Sequence, residues 1–144
     1  MLKIGAWFNL ILAVIHIIGL LWASAMFKVT GIVKEMAALA ELHRALPYAL
    51  TILVAFVFFV FGLYGLSASG NFRRLPRTKF MIWSIAVIYL LRGAGELIYD
   101  SLQNTNSFTE TLYSVIALIV GGIYLKGALK MGRTTKASAA PVKC

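Results

Sequence analysis

Four stretches of this chain are long and apolar enough to cross a bilayer, at residues 5–25, 47–67, 80–99 and 108–128. About 20 helical residues span the hydrocarbon core. Lipid offers no hydrogen bonds, so such a stretch must satisfy its own backbone and form a helix. Composition agrees. The 144 residues are 60% hydrophobic and 13% charged, where a soluble domain is about half apolar and about a quarter charged. A water-soluble enzyme, a disordered chain and a soluble nucleic-acid binder are thereby excluded. The lone cysteine, Cys144, leaves no internal disulfide, no C-x-x-C pair and no thiolate metal site.

The first stretch invites a second reading as a secretory signal, with Lys3 as its basic start and Ala23-Ser24-Ala25 as a cleavage site. Its apolar run from Ile4 to Trp22 exceeds the usual signal core of about 7–15 residues, so a retained helix is expected.

Orientation follows from Lys and Arg. The connector between spans two and three holds Arg73, Arg74, Arg77 and Lys79 and no acid, and the segment after span four holds Lys130, Arg133, Lys136 and Lys143. The connector between spans three and four carries Asp100 and no base. Both basic segments are therefore expected on the cytoplasmic side of an inner (cell) membrane, with both termini inside. The formal charge of +9 is then mainly a topology signal. Arg73, Arg74, Arg77 and Lys79 would meet anionic lipid head groups, and no nucleic-acid partner is expected.

Local signals mark the ends of the spans. Ser107-Phe-Thr-Glu110 has the form of a capping box, Pro47 suits a first helical turn, and Pro76 lies just ahead of span three. Gly31 to Ala45 reads as a short amphipathic helix on the outer surface, with Ile32, Met36, Leu39 and His43 on one side. The expected fold is all-α: a polytopic membrane protein whose residues 1–133 form an up-and-down four-helix bundle, with a disordered tail from 134 to 144.

Helices in lipid pack through small and polar residues. Such rows are Gly5, Asn9, Ala13, His16, Gly19 and Ala23 in span one, and Tyr48, Thr51, Ala55, Gly62, Gly65 and Ser69 in span two. Span three offers Tyr89, Arg92, Glu96 and Tyr99, and span four Glu110, Ser114, Ala117, Gly121 and Tyr124. Phe56, Phe58, Phe59 and Phe61 are left for lipid, a second copy of the chain or a larger membrane complex.

The ionisable residues inside the spans are the candidate site, because such residues are costly in lipid and usually face protein. His16 falls near mid-membrane, Arg92 about 3–5 Å outward of the centre, and Glu96 a further turn of about 5.4 Å. Tyr99 and Asp100 reach the outer interface. A cavity in the outer half is expected, with His16 as its floor and Glu41, His43 and Arg44 at its mouth. Tyr89, Tyr99 and Ser114 complete the candidate ligand-binding set. Arg92 and Glu96 are either a structural pair or a ligand or proton site. His16 either serves that site or bonds across the bundle to Ser114 or Tyr89. Glu41, His43 and Arg44 also fit a solvated loop face, and Tyr48, Tyr99 and Tyr113 an aromatic belt. The helix dipole disfavours Glu96 and Asp100 at the carboxyl end of span three, so a cation from elsewhere is expected, Arg44 first and a ligand second.

No H-E-x-x-H, G-x-S-x-G or phosphate loop occurs, and no catalytic residue, metal or cofactor is expected. In layout, Leu42-His43-Arg44-Ala45 before span two and Leu91-Arg92-Gly93-Ala94-Gly95-Glu96 in span three resemble the DoxX-like small bacterial membrane proteins. The resemblance implies a four-helix fold; span one lacks the early Arg of that family. Function reads first as binding of a small amphipathic lipid or quinone, or as an accessory membrane subunit. A proton-coupled carrier using Glu96 or His16 is the second reading, and a membrane enzyme on a lipid or quinone the third.

Overall fold

The computed structural model describes residues 1–103 and 108–138. These are helical, with no strand among the described residues: α1 (Leu2–Gly19), a 3-10 turn (Leu20–Trp22), α2 (Ala23–Thr30), α3 (Val33–Leu42), α4 (Leu46–Ala68), α5 (Thr78–Gln103) and α6 (Phe108–Ser138). Four stretches are long and apolar enough to cross a membrane: Leu2–Thr30, Leu46–Ala68, Thr78–Leu102 and Phe108–Gly132.

The first span extends past the expected boundary, because helix resumes after the 3-10 turn and continues to Thr30. At 29 residues it measures about 43 Å, more than the hydrocarbon core. Gly31 stops it in the left-handed conformation (φ 77°), its N–H donating to Lys28 O while Ile32 N–H reaches Phe27 O. The end of α4 repeats the device with Gly70 (φ 76°), Gly70 N–H to Ser67 O and Asn71 N–H to Leu66 O. This paired 5→2 and 6→1 pattern satisfies the last carbonyls of a helix.

The chain divides into two compact units. One comprises Ala6–Leu63. In it α1 and α4 meet closely at Gly62, where a Cβ would lie 2.6 Å from Leu10 Cγ and 3.1 Å from Ala6 O. Asn9, Ala13, Thr51 and Ala55 are buried, as their rows imply, and so is Ala6, which neither row included. Thr51 satisfies its hydroxyl on Pro47 O at 2.8 Å. The phenylalanines do not act as one face. Phe58 is half-buried, whereas Phe56 and Phe59 are exposed and help line an apolar groove of about 370 Å³ with Ala13, Val14, Ile17, Ile18, Ile52 and Ala55. The α3 helix is shorter than expected and has no buried residue. His43 leaves its apolar row, because its backbone is extended (φ −162°, ψ 129°) and its ring Nδ1 accepts Ala45 N–H at 3.2 Å.

The other unit joins residues 1–5 to the segment from Tyr64 onward. Its centre is the antiparallel pair α5–α6. Gly93 lies against Ser114 and Leu118, Gly121 against Leu90, and the Tyr89 and Tyr124 rings stack with centroids 6.4 Å apart. Ile82, Ile85, Ala86, Ser114, Tyr124 and Ala128 are fully buried. In the connector before α5, Ser67 Oγ accepts Leu75 N–H at 2.9 Å and Thr78 donates to Leu75 O at 2.6 Å. Helix α6 continues to Ser138, past the point where a tail was expected to begin. The capping-box serine, Ser107, and residues 139–144 of that tail lie outside the described residues.

Candidate functional site

The polar site rests on α5 and α6. Glu96 lies one helical turn beyond Arg92, and Ser114 on α6 closes on it from across the seam. Ser114 donates to Glu96 Oε2 at 3.0 Å. Arg92 Nη2 lies 3.1 Å from Oε2 and donates to Oε1 at 3.3 Å. The acid is thus held from two helices. The guanidinium is not enclosed: 62% of the Arg92 side chain is exposed, against 24% for Glu96.

This departs from the expected inward face of α5. Tyr89 is buried as expected, but Arg92 and Tyr99 are exposed, and Gly93 and Asp100 are buried instead. Gly93 decides the rotation. A Cβ at that position would stand 2.7 Å from the Ser114 carbonyl oxygen, so glycine alone lets the two backbones approach this closely. With Gly93 turned to α6, the neighbouring residue 92 is carried about 100° away around a helix of 3.6 residues per turn.

His16 belongs to the other unit and is half-buried. It donates Nδ1–H to Leu12 O at 2.8 Å, one turn back on its own helix, and its ring packs on Phe58 with centroids 5.2 Å apart. The groove of that unit is lined by none of the expected site residues.

Glu41, His43 and Arg44 are exposed, in keeping with a solvated loop face. Within its own unit Glu96 is paired with Arg92. Tyr48, Tyr99 and Tyr113 are all exposed.

Two residues were missed as site members, Gly93 and Asp100. Asp100 is 5% exposed and sits two turns beyond Arg92. Its helical spacing from Arg92 and Glu96 was the available signal. Among the described residues no group of three or more His, Cys, Asp or Glu could hold a metal ion. Compared with models of protein families, with curated proteins and with solved structures, the chain has no match.

Proposed function

We propose that this is a non-catalytic protein of the inner membrane that holds the negatively charged head of a small amphipathic lipid at Arg92. In this reading the four spans cross up and down with both termini in the cytoplasm. The observation that carries it is an arginine that is paired but not hidden. Ser114 anchors Glu96, Glu96 fixes one edge of the guanidinium, and 62% of the Arg92 side chain remains open. A guanidinium has five N–H donors in a rigid fork suited to carboxylate and phosphate oxygens, and among the described residues Nη2 is the donor engaged. A purely structural ion pair within a span would instead turn the cation toward the neighbouring helix.

The decisive experiment is native mass spectrometry with lipidomics of the full chain purified in mild detergent. An anionic amphiphile retained by the wild type and by Arg92→Lys, but depleted at least several-fold in Arg92→Ala, is expected. Equal retention by wild type and Arg92→Ala would refute the reading. The orientation has its own check: a reporter fused after Cys144 is active only if that end is cytoplasmic. The basic connector with Arg73, Arg74, Arg77 and Lys79 supports this topology and contact with anionic head groups.

A further inference from the structure

Helical spacing places Arg92, Glu96 and Asp100 along one side of α5, at i, i+4 and i+8. Their surroundings differ. Glu96 has both Arg92 and Ser114. Asp100 is only 5% exposed, and its Oδ2 has no hydrogen-bond partner among the described residues.

No positive charge of α5 or α6 is at hand to balance it. Arg92 lies about 12 Å back along the axis and is engaged by Glu96. The antiparallel register that sets Glu96 beside Ser114 brings the first turn of α6 level with Asp100. That turn contributes Glu110, an exposed acid, together with Thr109 and Thr111. Lys126, the first base along α6, is about 24 Å from Glu110 along that helix. Residues 104–107, Asn-Thr-Asn-Ser, contain no Lys or Arg. Asp100 also stands in the last turn of α5, where the helix dipole opposes an anion. Within α5, the polar row therefore carries two carboxylates and one guanidinium.

We propose that Asp100 is the binding site for a single alkali cation at the carboxyl end of α5. Glu96 and Ser114, one turn away, extend an oxygen-rich row of the kind hard cations use. A multivalent metal does not fit, since the described residues offer no cluster of three ligands. The proposal goes beyond the amphiphile reading and stands whether or not Arg92 holds a head group.

Asp100 is the only aspartate in the chain, so carbon-13 at the aspartate side-chain carboxyl reports this one group in the unmutated protein. The full chain, reconstituted in lipid nanodiscs, is observed by carbon-13 NMR and infrared spectroscopy in sodium, potassium and N-methylglucamine chloride. A carboxylic-acid signature at neutral pH in all three salts overturns the proposal. A carboxylate signal that moves saturably with sodium or potassium but not with N-methylglucamine establishes the cation. An ionised carboxylate with the same signal in all three salts, as when connector amides alone satisfy it, overturns the proposal. Asp100→Asn supplies an independent readout, because ligand binding to the folded state raises the melting temperature. The wild type should melt with a dependence on alkali concentration that the variant loses, and an identical dependence in both also overturns it.

Discussion

Ser114 donates its hydroxyl to Glu96 Oε2 at 3.0 Å, the same oxygen that Arg92 Nη2 approaches at 3.1 Å. One carboxylate oxygen thus ties two helices together and orients a cation that stays largely open. Ser114 is fully buried, so replacing it removes a charge-assisted bond without letting water in from that side. Ser114→Ala should destabilise by about 1.5–2 kcal/mol, the lower part of the range for bonds to charged groups because Glu96 is partly exposed. Thermal melting in detergent checks this, and an unchanged midpoint contradicts it.

Arg92→Ala should cost much less than the loss of a buried pair. The pair is an i, i+4 contact with 62% of the Arg92 side chain exposed. Such pairs contribute about 0–1 kcal/mol, and Glu96 keeps its bond from Ser114. Ligand retention should therefore fall while the melting midpoint hardly moves. A drop as large as that of a strongly destabilised core variant would mean the pair is structural.

Two glycines two residues apart should respond in opposite directions to the same change. Gly93→Ala places a methyl 2.7 Å from the Ser114 backbone oxygen and 2.8 Å from Leu118 Cγ. The helices must separate, at about 1–3 kcal/mol for overpacking. Gly95→Ala meets nothing within 4 Å and should stabilise α5 by up to about 1 kcal/mol through helix propensity. Melting curves of the two variants side by side decide it. Equal shifts would contradict the packing of α5 on α6.

The turn between α4 and α5 contains two left-handed residues, Gly70 at φ 76° and Arg77 at φ 52°. Gly70→Ala has open space for its methyl, so its cost is conformational alone, about 1–2 kcal/mol. Arg77→Gly relieves a similar strain but loosens the unfolded chain by about 0.4–1 kcal/mol. Its midpoint should stay level or rise slightly. A marked fall for Arg77→Gly would show that the arginine side chain, rather than backbone geometry, matters at this turn.

The rows of small residues were legible along three of the spans. Asn9, Ala13, Thr51, Ala55, Ser114 and Ala117 are buried as their spacing implies. Along α5 the reading placed polar side chains inward because charge in lipid is costly, and it made Arg92 the buried member. Nothing in the order of residues reveals that a methyl at position 93 would strike the backbone of residue 114. That clearance exists only once α6 lies beside α5. The resulting rotation leaves Arg92 open and buries Asp100.

From the order of residues alone come the four apolar spans and the approximate places where they begin and end. Length and apolarity accumulate residue by residue and need no neighbour to be counted. Tertiary structure decided which side of α5 turns toward α6, that Ser114 holds Glu96, and that Asp100 is enclosed with an unmatched oxygen. Those outcomes depend on how closely two backbones can approach, and a single step along a helix turns a side chain through about 100°.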